Sequence, residues 1–529
     1  MHGLEGKSWP RPTPVAAACR PSMPLPAARA SGKCRSPPSS PSMAPVFATL
    51  CRLSARPFAS VGAAALLLGA YLLLHAATRL WLWPGSLGYD DAEQVLFAQA
   101  WSLGYRFQQP PLVTWLVLAL SDLVGLAPGL LSITVLRTLL LAALHVTFFL
   151  AARHWLGDGV RAALASAALA ATYTLGFLAH GDLLVSTSLA VAVATSLWLW
   201  GRLLARPTLP NTLAFGVVCG LGLLAKWNFV MLALAYLLVG LALPAYRGLV
   251  LSWRTPVVVA VASLIAGPSA LWVLAHHPSF IGLGQEVLIE PAARRSALDG
   301  LQALVRSALA FPQPVLLLAL VALWPALGPL PPRVRPLAWV MVVAFALHLL
   351  LIPLAGAVNF PERWMITVLL ALPIVLFAAV PPGHPRLAGA ALAILLVVVV
   401  ALGARATIGL TDAAYCGKCR TRLPTEAFVE GLREAGMTPS RYVTSDMHLG
   451  GNLQAALGDA GQVVMQGYPE SIWPRGAAAP CILLWRHDAP LPPDGSGRDV
   501  GQVRAPILGR DDRLQGIAFR RLDDGAACP

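Results

Sequence analysis

The sequence predicts an all-α polytopic membrane domain followed by a small α/β domain outside the bilayer. Three observations carry that prediction. Of 529 residues, 57% are hydrophobic and only 12% charged, with a mean hydropathy of +0.66, too apolar for a set of soluble domains. Apolar runs of bilayer length recur between residues 55 and 405. Over 406–529 the charge rises, the apolar runs shorten, and "RYVTSD", "GQVVMQ" and "CILLWRH" read as short strands between Gly- and Pro-rich turns.

The formal net charge of +14 would point to nucleic acid in a soluble chain. Here the basic residues are scattered between apolar runs with no aromatic-basic stripe, so topology explains them and nucleic acid is not an expected partner. The lysines are Lys7, Lys33, Lys226 and Lys418, of which only Lys226 lies among the membrane segments.

Residues 1–45 are rich in Pro, Ser, Ala and Arg, with neither helical period nor a signal-peptide core, and are expected to be disordered. Met43, followed by Arg52 and Arg56, reads as an alternative start, which would leave Cys19 and Cys34 without meaning.

The first span is expected over 59–83, ending in the interfacial pair Trp81 and Trp83, with Arg52 and Arg56 holding the N-terminus inside. The stretch "GYDDAEQVLFAQAWSLGYRFQQPPLVTWL", Gly88 to Leu116, therefore emerges outside, with three carboxylates in four residues. Segment 111–126 is apolar but short and contains Asp122, so it reads as re-entrant or interfacial, since a crossing needs about 20 apolar residues. If it does not cross, Arg153, Arg161, Arg202, Arg206, Arg247, Arg254, Arg333, Arg335 and Arg386 all fall inside; if it does, all fall outside, against the positive-inside rule. Further spans follow near 130–152, 162–179, 183–203, 211–225, 228–245, 256–275, 304–324, 337–357, 364–381 and 386–404, eleven in all. That odd total leaves the C-terminal domain outside. Cysteine usage fits an oxidising compartment: "CGKC" predicts a Cys416–Cys419 disulfide, while a zinc site would require Cys481 and a His to join.

Polar residues then sort by side. The outer ends hold Asp90, Asp91, Glu93, Arg106, Arg137, His180, Asp182, Lys226, Asn228, His276, His277, Asn359, Glu362 and Arg363; the inner turns hold mostly Arg. Singly, each has an ordinary reading: Arg137 snorkels, His180 and Asp182 cap a helix, Glu362 and Arg363 pair at the surface. Together, both charge signs on one side of many spans describe a polar cavity opening outward. Such a cavity suits group transfer, with a carboxylate taking the proton of an attacking hydroxyl or amine and cations holding a leaving phosphate. On a helix Asp90 and Glu93 share a face at i and i+3, while Asp91 points about 100° away to cap the helix or face water.

In their order, "DDAE" after the first span, "LGY", "QPPLVTWL" and "LR" opening the next span resemble the polyprenyl-phosphate-sugar glycosyltransferases of the GT-C superfamily. More narrowly, the sequence is similar to glycosyltransferase family 39 and to the aminoarabinose transferases that modify lipid A. "HGDLLVSTSL" from His180, "GLGLLAKWNF" from Gly220 and "NFPERWMITVLLALP" from Asn359 match later landmarks, so the resemblance covers roughly 55–405.

The resemblance implies an inverting transfer of one sugar from a polyprenyl-phosphate donor to a lipid, glycan or protein acceptor at the outer face of a bacterial inner membrane. Carried over, the base is Asp90 or Asp91, and Glu93 helps hold the acceptor or a divalent cation. Lys226, Arg363 and Arg137 face the donor phosphate, and His180, Asp182, Asn228 and Glu362 line the substrate site. Many relatives carry "DE" where this chain has "DD" with Glu two residues further on, which leaves Asp90 and Asp91 both open as the base. The carrier's prenyl tail stays in lipid, which fits a site beneath an amphipathic segment such as 111–126, and substrate choice falls to the 278–303 loop with Glu286, Arg294 and Arg295. The rival readings are a transporter or lipid flippase, which would show paired halves and broken midplane helices, and a non-catalytic sensor tolerant of substitution at Asp90, Asp91 and Lys226.

Overall fold

The computed structural model describes residues 44–83, 85–276, 296–416, 419–437, 440–474, 481–486 and 500–522. Residues 1–43 of the extension expected to be disordered lie outside the described residues, as do His277, Glu286, Arg294 and Arg295, whereas Ala44 and Pro45 open a helix. The chain divides between Phe47 and Ala48, and all the contacts below belong to the second unit, Ala48–Pro529.

Helix α1 (Ala44–Ala55) is followed by the first span, α2 (Val61–Trp81), whose first turn is capped where Ala63 N donates to Ser60 Oγ at 3.1 Å. Two short helices, α3 (Tyr89–Phe97) and α4 (Leu112–Val124), precede α5 (Leu130–Leu156). Helix α4 is the ambiguous segment. Near its start Trp115 Nε1 donates to Ser102 O at 2.7 Å, and near its end Asp122 Oδ2 accepts from Trp101 Nε1 at 2.9 Å. Both ends return to one two-residue stretch, so α4 lies along that loop and does not cross.

The bundle continues with α6 (Gly159–Ala170), α7 (Tyr173–Gly176), α8 (Leu184–Ala205), α9 (Leu209–Ala225), α10 (Phe229–Ala242), α11 (Pro244–Val250), α12 (Arg254–His276), α13 (Ala297–Ala310), α14 (Val315–Leu323), α15 (Arg335–Ala355), α16 (Ile366–Leu369), α17 (Leu372–Ala378) and α18 (Arg386–Tyr415). Six described helices, α2, α5, α8, α12, α15 and α18, are long and apolar enough to cross a bilayer, or seven if α10 and α11, bent by 118°, form one span. The rest of the eleven expected crossings fall on shorter or broken helices.

Three spans read as continuous are interrupted. Pro312 and Pro314 separate α13 from α14, Pro373 sits at the start of α17, and α6 stops before Thr172. Proline removes a helical donor, and one break answers another: Tyr173 N donates to Gln313 O at 2.7 Å, beside a bridge between Thr172 and Pro314. The last span instead overruns its expected end at 404, because α18 finds partners for its polar residues. Arg405 Nη2 donates to His180 O at 2.8 Å, and Asp412 accepts from Arg422 Nε at 3.1 Å.

The turn arginines gather at the end of α5 remote from α3. Arg161 Nη1 donates to Val380 O at 2.8 Å, Arg254 Nε to Pro207 O at 2.9 Å, and Arg386 Nη1 to Ala322 O at 3.1 Å. The chain is a multi-pass membrane protein.

Beyond α18 lies a small sheet domain, here called the cap. Helices α19 (Thr425–Glu434) and α20 (Met447–Leu457) accompany β1 (Arg441–Thr444), β2 (Gln462–Met465), β3 (Cys481–Arg486), β4 (Val500–Ile507) and β5 (Arg510–Arg521) in the order β2-β1-β3-β5-β4. The three strands expected from sequence land on β1, β2 and β3. They run parallel, with α20 as the crossover between β1 and β2, while the antiparallel hairpin β4–β5 turns at Gly509, whose φ is +84°. Cys416 and Cys419 are disulfide-bonded. Cys481 is also disulfide-bonded and so is not a thiolate for zinc.

Candidate active site

Helix α3 carries the three acids. Asp90 and Asp91 stand in its first turn, where the helix dipole favours negative charge. Nine residues are too few to hold a helix unaided, so its neighbours fix it. Its N-cap is Gly88, and a Cβ there would stand 3.2 Å from Gly181 O and 3.3 Å from Asp182 Cγ. Glycine thus admits the His180–Asp182 turn, and Asp90 N donates to Asp182 Oδ1 at 3.2 Å.

The acids are not equivalent. Asp91 is fully buried and pairs with Arg137 Nη2 at 2.5 Å. Glu93, equally buried, pairs with Arg106 Nη1 at 2.8 Å. Asp90 is half-buried and has no ion-pair partner among the described residues. The expectation that Asp91 caps the helix or faces water therefore fails: its face of α3 turns into the bundle, where α5 supplies the compensating cation.

The two cations expected to face a phosphate are Lys226 and Arg363. Lys226 follows α9, donates to Ser186 Oγ at 3.3 Å, and feels the charges of Arg363, Asp90 and Glu93. Arg363, in the turn Glu362–Met365, is half-buried and has no ion pair among the described residues, and Glu362 has none either. Both side-chain polar atoms of Asn228 are buried without a protein partner among the described residues. Lys226 thus lies within electrostatic reach of Asp90, Glu93 and Arg363, which come from distant parts of the chain.

Arg137 and His180 are placed differently. Arg137, expected among the phosphate cations, is committed to Asp91. His180 is buried in the helix packing, its Nε2 within 2.8 Å of Tyr71 Oη and its ring stacked on His75 at 3.8 Å. Asp182 joins the acids, and its pKa is pushed up to about 7 by burial and by the charges of Asp90 and Asp91. Burial also raises the Glu93 carboxyl against the pull of Arg106. Among the described residues no three His, Cys, Asp or Glu side chains converge as a metal-binding set.

Sequence reasoning passed over two buried arginines. Arg79 in α2 donates to Ser86 O at 2.7 Å, and Arg405 in α18 ties down the His180 turn. Their signal was present, since an ionisable residue inside an apolar run is costly and marks a site.

Helix α3, with its three acids, thus stands where a multi-pass helical bundle meets a small sheet domain. No family model matches the sequence. It is 30% identical over 446 residues to the lipopolysaccharide core galacturonosyltransferase RgtA of Rhizobium johnstonii, covering 81% of this chain and 87% of that one. RgtB of the same organism, described in the same words, is 29% identical over 445 residues with the same coverage. In fold the chain is similar to ArnT from Cupriavidus metallidurans, solved bound to undecaprenyl phosphate and in the apo state, with a TM-score of 0.56 at 16% identity over 87% of this chain and 98% of that one. The chain belongs to the polyprenyl-phosphate-sugar glycosyltransferases of the GT-C superfamily. It is a multi-pass membrane glycosyltransferase.

Proposed function

We propose that this protein moves a single uronic acid residue from a polyprenyl-phosphate carrier to the lipopolysaccharide core, with inversion, at the periplasmic face of a bacterial inner membrane. The sugar and acceptor follow the description of RgtA and RgtB. The side follows the segregation of turn arginines away from α3. The division of labour follows the expected boundaries, with 55–405 as the transferase domain and 406–529 as the outer domain.

The chemistry is a single displacement. An acceptor hydroxyl oxygen attacks the anomeric carbon, its proton passes to Asp90, and the bond from that carbon to the phosphate oxygen breaks with its electrons leaving on phosphate. Lys226 and Arg363 hold the phosphate as charge develops on it. No acid is needed, because a phosphate already leaves well, so one base on the acceptor side completes the site, as in inverting glycosidases with an acceptor in place of water. Arg137 positions α3 through Asp91, and Arg106 holds Glu93. Asp182, Asn228 and Glu362 border the substrates, and His180 supports the turn that carries Asp182.

The observation that carries this reading is the contrast among the acids: Asp91 and Glu93 are each paired with an arginine, and Asp90 has no ion pair among the described residues. Gene deletion followed by mass analysis of lipopolysaccharide and lipid-linked sugars tests it. The expected result is a core lacking one uronic acid while the carrier-linked sugar accumulates. An unchanged profile overturns the assignment.

A further inference from the structure

Helix α3 lies between the bundle and the cap, and the cap grips it at both ends. At its start, Asn452 Oδ1 accepts from Leu87 N at 2.7 Å, and His448 Nε2 lies 2.9 Å from Leu87 O. Arg486 Nη2 stands 2.9 Å from His448 Nδ1 and pairs through Nε with Asp446. Arginine only donates, so Nδ1 accepts and the ring proton sits on Nε2, aimed at the Leu87 carbonyl. Past its end, Gln99 Nε2 donates to Val463 O in β2 at 2.8 Å. Between these points the helices meet backbone to backbone, since a Cβ on Gly451 would overlap the carbonyl of Ala92. Leu96 and Phe97 belong to the apolar core of the cap, whereas Ala92 and Val95 pack with α4, α5 and α8.

We infer that Gly451 and Asn452 of the cap are positioning residues for sugar transfer, fixing where the base-bearing helix α3 stands. This rests on the reading of Asp90 as the base. A helix of nine residues has little stability of its own, and Asp90 follows Leu87 by one turn. Reacting groups tolerate little displacement, a misplacement of about 1 Å costing on the order of a hundredfold in rate. The cap is thereby half of the active-site scaffold and not only a lid over it.

The test uses the full-length protein, with undecaprenyl-phosphate-linked galacturonic acid and lipopolysaccharide core as probes, and amide hydrogen exchange over 87–97. Asn452→Ala is expected to lower kcat about tenfold and Gly451→Ala about a hundredfold, with KM for the donor within about twofold of wild type. Both accelerate exchange in α3. Tyr442→Phe removes the bond from Tyr442 Oη to Met437 O inside the cap; it lowers the melting temperature and leaves kcat unchanged, which separates positioning from cap stability. Should Gly451→Ala not fold, Asn452→Ala, which introduces no clash, decides the question. Wild-type kcat and wild-type exchange in Asn452→Ala overturn the proposal. Asp90→Asn, assayed alongside, keeps the two readings apart: turnover in that variant defeats the base assignment, while exchange in Asn452→Ala still judges the grip on α3.

Discussion

Arg137 and Asp91 form an ion pair at 2.5 Å whose side chains are 3% and 0% exposed. A pair so enclosed is a structural commitment, because removing one partner strands the other charge in the protein interior. Asp91→Asn is therefore expected to destabilise the fold by about 3–5 kcal/mol. Asp90→Asn, at a half-buried position without an ion pair among the described residues, is expected to leave the melting temperature nearly unchanged. Thermal unfolding of both variants in detergent checks the asymmetry, and equal melting temperatures would contradict it.

Lys226 and Arg363 act on the donor. With phosphate as the shared ligand, Arg363→Ala and Lys226→Ala are each expected to lower kcat/KM for the polyprenyl-phosphate sugar by roughly a hundredfold, in the range seen for lost transition-state donors. Lys226→Arg, which keeps the charge, recovers part of the loss. Inorganic phosphate is expected to inhibit wild type more strongly than either alanine variant, as competition kinetics would show.

Asp182 gives the protein a pH dependence of defined sign. Its pKa rises from an ordinary 3.8 to about 7, first through burial and then through Asp90 and Asp91. The folded chain thus binds this proton more tightly than the unfolded chain between those values. Stability attributable to Asp182 is complete at low pH and declines as pH rises through about 7. Melting temperatures measured across that window are expected to fall less steeply in Asp182→Asn, and an unchanged slope would refute the assignment.

Much of this was legible in the sequence because charge at membrane depth is expensive and therefore informative. The acids of α3, the His180–Asp182 turn, Lys226 and Arg363 were all placed on one side by counting arginines in the turns. The pairing was not legible. Asp91 lies 46 residues from Arg137, and no periodicity connects residues on different spans, so which acid is neutralised appears only when α3 and α5 pack. The breaks after α6 and α13 were hidden for a related reason: each finds its partner in the other, Tyr173 N donating to Gln313 O. Asn452 and His448 gave no signal, since polar side chains in a soluble domain are ordinary until α20 is seen against α3.

The most direct test of the central claim is single-turnover transfer by Asp90→Asn, measured with saturating donor on protein shown to be folded and monodisperse. Removing a catalytic base costs about a hundredfold to ten-thousandfold in rate. The predicted result is a loss of at least that size with donor binding intact. Transfer at the wild-type rate by folded Asp90→Asn would contradict the account.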